Sequence, residues 1–214
     1  MARTKKTVVY QGRAGAVDCI LDWPADTPRG WALVLHPHSE QGGTRDNKVV
    51  TTIARACVQA GLAALRPNMR GVGESAGTFD HGKGETQDML EIIPQFLADY
   101  PQLSNGKWLL GGFSFGSAVA AHVYTALAAD NQTVPDGVVL AGPAVQRFDF
   151  QEISLPNHTL LIHGEDDDVV PLAETMTYAR DAELPVVVIP GAGHFFHGKL
   201  LLLKDLVEQR LKTM

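Results

Sequence analysis

A single serine, Ser114, lies in the segment GFSFG (112–116), which fits the pattern G-x-S-x-G. A strand-like run precedes this segment and an alanine-rich helical run follows it. In that context the pattern predicts a tight strand–turn–helix elbow, because the turn leaves no room for side chains at its glycine positions. The elbow would hold the serine hydroxyl clear of the sheet as a nucleophile. The alternative is a glycine-rich turn with a buried serine.

A serine hydroxyl is a weak nucleophile and needs a base within hydrogen-bond reach. His194 lies on a glycine-rich loop after the last predicted strand, in the chain order of a Ser…Asp…His hydrolase. Its rival is His197, and we favour His194 because it comes first after the strand. The acid that orients the base is expected in the run EDDD (165–168), and strand geometry does not choose among the four acids.

A tetrahedral intermediate needs two N–H donors for its oxyanion. One is expected from the amide of Phe115, the residue after the nucleophile. The other is expected from the turn HPHSEQGGT (36–44). Pro37 has no N–H, so His38 is the best candidate in this turn and Ser39 the next.

The substrate-binding candidates are aromatic side chains and one arginine. We expect about two of six phenylalanines to lie near the substrate, with Phe148 and Phe195 as the candidates, because most buried aromatic residues belong to the core. Arg70 either meets a carboxylate of the substrate or pairs with an acid of the 165–168 run. The six phenylalanines are Phe113, Phe115, Phe148, Phe150, Phe195 and Phe196.

The elements that must position these residues are short apolar runs alternating with helical patterns. The alternation predicts an α/β fold with a mostly parallel, twisted sheet of about eight strands and helices on both faces. The candidate residues follow the strands, where open α/β sheets bind their ligands. The expected strands are 7–12 and 15–24, as an antiparallel pair, then 30–38, 62–68, 106–112, 136–142, 158–164 and 184–191. The expected helices are 47–61, 85–101, 115–130, 171–182 and 199–212.

The composition is that of an ordinary globular protein, with 214 residues, 45% of them hydrophobic and 20% charged. It indicates one domain spanning residues 1–214. The net charge of −6 without a basic block disfavours binding to nucleic acid or an anionic membrane. No signal peptide or membrane span is expected. The two cysteines, Cys19 and Cys57, have no metal-binding spacing, which indicates no metal and a cytoplasmic location.

Five ordered blocks between positions 35 and 200 resemble the α/β-hydrolase superfamily. The resemblance is closest to small, lidless bacterial hydrolases related to dienelactone hydrolase and short-chain carboxylesterases. It implies the α/β-hydrolase fold, and its H-G-x-x-D-x-x-V-P pattern places the catalytic acid at Asp167. Dienelactone hydrolase carries a cysteine at the elbow, where this chain has Ser114. The blocks are LHPHSEQGGTRDNKVV, ALRPNMRGVGESAG, GGFSFG, LLIHGEDDDVVP and VVVIPGAGHFFHGKL.

These features together predict a serine hydrolase for small carboxylic esters or thioesters, without a cofactor. About 17 residues separate the strands that end near 141 and begin near 159, too few for a substantial lid. Two alternatives stay open: a serine peptidase of the prolyl-oligopeptidase type, and a non-catalytic binding protein on the same fold. We expect a monomer or a homodimer.

Overall fold

The computed structural model describes residues 4–150, 153 and 155–214. Within them the strands are β1 (Thr4–Gly12), β2 (Gly15–Trp23), β3 (Gly30–Leu35), β4 (Ala63–Pro67), β5 (Lys107–Phe113), β6 (Gly137–Ala141), β7 (Thr159–Gly164) and β8 (Val186–Ile189). The α-helices are α1 (Lys48–Gln59), α2 (Lys83–Asp99), α3 (Phe115–Ala129), α4 (Leu172–Asp181) and α5 (Leu200–Lys212). Short 3₁₀ helices span Ser39–Gln41 and Pro101–Leu103.

The eight strands form one sheet in the order β1-β2-β4-β3-β5-β6-β7-β8. β2 is antiparallel to both β1 and β4, and the remaining neighbours are parallel. The register pairs Leu35 with Gly112, and Phe113 with Ala141. The carboxyl ends of the central strands therefore lie at one edge. The predicted fold, with its opening antiparallel pair and mostly parallel sheet, is confirmed.

Two apolar layers cover the sheet, one on each face. Alternate residues of β3 point to opposite faces, so Leu33 packs in one layer and Val34 in the other. Phe96 of α2 belongs to the first layer, together with buried residues of α3 and α4. Ile53 of α1 belongs to the second layer, with residues of α5. Each fully buried side chain of this kind stabilises the fold by about 1.5–3 kcal/mol.

The N-terminus of α2 is fixed by a carboxylate that reaches back over the preceding loop. The buried Glu85 accepts hydrogen bonds from the amides of Asp80, at 2.8 Å, and Gly82, at 2.9 Å. These bonds satisfy the amide of the N-cap residue Gly82 and the amide of Asp80 in the preceding loop. They also fix the loop that carries Phe79 into the site. α2 continues through Pro94, which lies inside it.

Candidate active site

The elbow has the strained geometry that its sequence predicts. Ser114 separates β5 from α3 and has φ 53° and ψ −120°, a backbone conformation that non-glycine residues rarely adopt. A Cβ on Gly112 would lie 2.3 Å from the carbonyl oxygen of Gly116, and one on Gly116 would lie 2.4 Å from the carbonyl oxygen of Leu35. Both positions therefore require glycine. Ser117 is buried in the first turn of α3, where its hydroxyl faces the Ala141 carbonyl at 3.3 Å.

Three predicted side chains meet above the sheet in one chain of hydrogen bonds. Ser114 Oγ lies 3.0 Å from Nε2 of His194, and Nδ1 of His194 lies 2.7 Å from Oδ2 of Asp167. A carboxylate only accepts, so Nδ1 carries the proton and Nε2 is free to accept the serine proton. Asp167 is thus the acid of the 165–168 run that reaches His194.

Asp167 is held rigidly from its other side. Its Oδ1 accepts hydrogen bonds from the amides of Val169, at 3.0 Å, and Val170, at 2.8 Å. Burial opposes ionisation of this carboxyl, but the hydrogen bonds from His194 and the two amides outweigh it and hold the pKa of Asp167 below its usual value. The carboxyl is therefore ionised at neutral pH and cannot rotate away from His194.

A second buried histidine braces the same carboxylate. His163 Nε2 lies 2.9 Å from the Val170 carbonyl oxygen and 3.3 Å from Oδ2 of Asp167. Since the carbonyl only accepts, Nε2 carries the proton, and Nδ1 accepts from the Thr175 hydroxyl at 3.1 Å. Burial lowers the pKa of His163, so its ring is neutral here. His163 is therefore a hydrogen-bonded structural residue that also contacts Asp167.

The turn after β3 folds back tightly beside the elbow. The His38 carbonyl accepts from the amides of Gln41, at 3.1 Å, and Gly43, at 2.9 Å. His36 anchors the turn, because its buried ring accepts from the Met69 amide at 2.8 Å and donates to the Pro37 carbonyl at 2.6 Å. Burial lowers the pKa of His36 to about 4. The Phe115 amide opens α3, where no intrahelical acceptor exists for it.

Four rings form an aromatic wall beside the nucleophile: His38, Phe79, Phe115 and Phe148. Ring centroids lie 4.4 Å apart for His38 and Phe79, and 4.7 Å apart for Phe115 and Phe148. The centroid of the His38 ring lies 5.4 Å from that of Phe115. Phe115 is buried beneath the other three rings, which are partly exposed. The structure thus places Phe148 against the residue that follows Ser114.

Phe195 lies on the histidine side of the site. Its ring centroid is 5.2 Å from that of His194, and the residue is 42% exposed. The other predicted phenylalanines are buried core residues, and Phe150 packs on Tyr178 with centroids 5.0 Å apart. Phe148 therefore lies against the residue that follows the nucleophile, and Phe195 lies against His194.

Arg70 does not pair with the 165–168 run, so that prediction is wrong. Its Nε and Nη2 donate to the two carboxylate oxygens of Asp88, at 2.5 and 3.2 Å, and Asp80 lies 3.7 Å away. The cause is topological, because Asp88 faces Arg70 from the first turns of α2. The guanidinium of Arg70 is already held by the buried carboxylate of Asp88. A contact between Arg70 and the substrate stays a prediction.

Sequence reasoning missed two residues and one contact of this region: Phe79, His122 and the contact of His163 with Asp167. Phe79 had a local signal, since it is a large apolar residue in the polar segment ESAGTFDH (74–81). Nothing in the sequence connects His122 with Phe148, whose carbonyl oxygen lies 2.6 Å from His122 Nε2.

The described part of the chain holds no group of three His, Cys, Asp or Glu residues arranged to bind a metal ion. In the same residues, no helix has the length and apolar character needed to cross a bilayer.

The chain is similar over its whole length to two solved structures. An α/β serine hydrolase homologue from Coxiella burnetii is 33% identical with a TM-score of 0.84, covering 99% of each chain. An α/β serine hydrolase without a lid from Xanthomonas campestris is 31% identical with a TM-score of 0.87, covering 100% of this chain and 96% of its own. An uncharacterized protein of Rickettsia prowazekii is 29% identical over 178 residues, 78% of this chain and 72% of its own. No protein-family model matches the chain.

Proposed function

The chain belongs to the α/β-hydrolase superfamily, and on that premise we propose that it is a serine hydrolase of small carboxylic esters or thioesters. The observation that carries this proposal is the unbroken chain of hydrogen bonds from Ser114 through His194 to Asp167. The strain at Ser114 supports it, because strained residues of this kind cluster at functional sites. A non-catalytic binding protein would have no use for the strained serine and the aligned base.

The proposed reaction passes through an acyl-enzyme. Ser114 Oγ attacks the carbonyl carbon of the ester while its proton passes to His194 Nε2, and Asp167 stabilises the imidazolium that forms. The amides of Phe115 and His38 hold the oxyanion. Collapse of the intermediate breaks the bond to the alcohol, which takes the proton from His194. Water, deprotonated by His194, then releases the acid and restores the serine.

Small substrates are proposed because the connection from β6 to β7, residues 142–158, is too short for a substantial lid. Phe148 and Phe195 are the proposed substrate contacts on the two sides of the nucleophile. A cytoplasmic location is also proposed, with support from two buried cysteines that are not disulfide-bonded, Cys19 and Cys57.

A fluorophosphonate probe tests the proposal, since it labels only an activated serine. We expect labelling of the wild type and none of Ser114→Ala. The matched control is Ser117→Ala, which removes a hydroxyl in the first turn of α3 and should be labelled like the wild type. An unlabelled wild type, or equal labelling of Ser114→Ala, would disprove the mechanism. Faster cleavage of aminoacyl-proline amides than of p-nitrophenyl esters would favour the peptidase instead.

A further inference from the structure

The backbone of the aromatic wall is strained at Phe148. Phe148 and Asp149 have φ of 59° and 56°, in the left-handed region that bulky side chains avoid. A residue held there costs about 1–3 kcal/mol and persists only where its surroundings impose it. In this conformation the Phe148 ring packs on Phe115, with ring centroids 4.7 Å apart. Residue 148 is therefore placed by the structure around it.

The group that holds Phe148 is His122 of α3. Its Nε2 lies 2.6 Å from the Phe148 carbonyl oxygen, and since a carbonyl only accepts, Nε2 carries the proton. His122 and Ser114 are joined through the rigid first turns of α3. The helix that begins at the nucleophile thus also fixes one ring of the wall relative to it.

The other exposed rings are fixed too. Phe79 precedes the loop that Glu85 holds through the amides of Asp80 and Gly82. His38 lies in the tight turn after β3, and burial lowers the pKa of its ring, so the ring is a neutral flat surface at neutral pH. Three uncharged rings therefore lie together beside the nucleophile, with the planes of Phe79 and Phe148 at 86° to each other.

The position of the aromatic wall relative to His194 indicates whether the acyl group or the alcohol of an ester contacts it. The leaving oxygen must face His194 Nε2, which protonates it, so the alcohol lies on the side of Phe195. The wall instead lies beside the proposed oxyanion donors, because Phe115 and His38, whose amides are those donors, each contribute a ring to it. The acyl group is the part of the substrate directed to this side.

We propose that the aromatic wall binds the acyl group, that the enzyme favours flat aromatic acyl groups over acetyl, and that His122 is the positioning residue for Phe148. This inference rests on the proposed function. Beyond Phe148 an open depression of about 560 Å³ leaves space for groups larger than one ring. The charged residues that line this depression are two acids and two bases, Asp80, Asp149, Lys83 and Arg147. Their charges balance, so the depression does not favour a substrate of either charge.

The test compares p-nitrophenyl benzoate with p-nitrophenyl acetate. For each ester, kcat/KM is divided by its rate constant with hydroxide, which removes the difference in intrinsic reactivity. We expect the wild-type ratio of benzoate to acetate to be about tenfold or more, the size of one good aromatic contact. The ratio is insensitive to the fraction of folded enzyme, because both esters report on the same molecules.

Three variants and one control variant locate the effect. Phe148→Ala and His122→Leu should each lower the benzoate preference by about tenfold, because one removes the ring and the other its anchor. His122→Gln keeps an N–H near the Nε2 position and should restore most of the preference. Thr125→Ala, one turn later in α3, removes a hydroxyl bonded to the Ala121 carbonyl within the helix and should keep the wild-type ratio.

A wild type that is labelled at Ser114 and hydrolyses acetate, but shows no benzoate preference, would overturn this inference and leave the proposed function intact. Equal ratios in His122→Leu and the wild type would overturn the role of His122. Failure of labelling and of both hydrolyses would overturn the proposed function and with it the inference.

Discussion

His36 makes the folded protein less stable in acid. Its ring is fully buried, accepts from the Met69 amide and donates to the Pro37 carbonyl, so only the neutral form fits. Burial lowers its pKa to about 4, from 6.5 for a free histidine. The unfolded chain therefore binds a proton more readily than the native protein. The contribution of His36 to stability is complete above pH 6.5 and is lost as the pH drops from 6.5 towards 4.

The size of the loss follows from the two pKa values. At pH 5 the unfolded histidine is almost fully protonated, whereas His36 in the native protein is about one-tenth protonated. Linkage then lowers the free energy of unfolding by about 2 kcal/mol between pH 7 and pH 5. The buried His163, whose pKa is also lowered, adds a loss of the same sign. Asp167 contributes little in this window, because its pKa lies below the usual carboxyl value.

Urea unfolding at pH 7 and pH 5 measures the effect. In His36→Gln the side-chain oxygen can still accept from the Met69 amide, but nothing at this position titrates. The pH-dependent loss should be smaller than in the wild type by about 2 kcal/mol, whatever the absolute stability of the variant. Replacement of the exposed His197 by Gln is the control and should keep the wild-type pH dependence. Equal losses in His36→Gln and the wild type would refute the reasoning.

Two further predictions concern the elbow and the acid. Asp167→Asn should lower kcat by about 10³–10⁴-fold. The amide oxygen of the new side chain must accept from the two backbone amides, so its NH₂ group faces His194. His194 then accepts at Nδ1 and carries its proton on Nε2, where it cannot take the proton of Ser114. Steady-state ester hydrolysis measures this, and a loss below tenfold would contradict it. Gly116→Ala should destabilise the protein by about 1–3 kcal/mol in urea unfolding, because its Cβ would lie 2.4 Å from the Leu35 carbonyl oxygen. Gly193→Ala is the control, since its Cβ would meet its nearest neighbour at 3.7 Å, and equal stabilities would refute the steric argument.

The strands and helices were predictable from the sequence because each depends on neighbours in the chain. Apolar runs and helical periods place elements to within a few residues, as for α3, predicted at 115–130 and observed at Phe115–Ala129. The elbow is equally local, since the steric need for Gly112 and Gly116 arises within one turn and the adjacent strand. The chain order of Ser114 and His194 is also written in the sequence. These features need no knowledge of distant contacts.

The choice among the four acids shows where local reasoning stops. The sequence run 165–168 is uniform, and only a family resemblance singled out Asp167. In the structure, two backbone amides and two histidines converge on that carboxylate. Such convergence depends on how the ends of β7 and β8 are juxtaposed.

The sequence by itself determined the α/β fold class, the strained turn and the order of the nucleophile and base. Only the tertiary structure decided the partners: Asp88 for Arg70, His122 for Phe148, and the rings that meet at the aromatic wall. The physical reason is the range of the forces involved. Backbone sterics and periodicity act between neighbours in the chain, whereas a hydrogen bond or ring contact between distant residues exists only after the sheet has set its strand order.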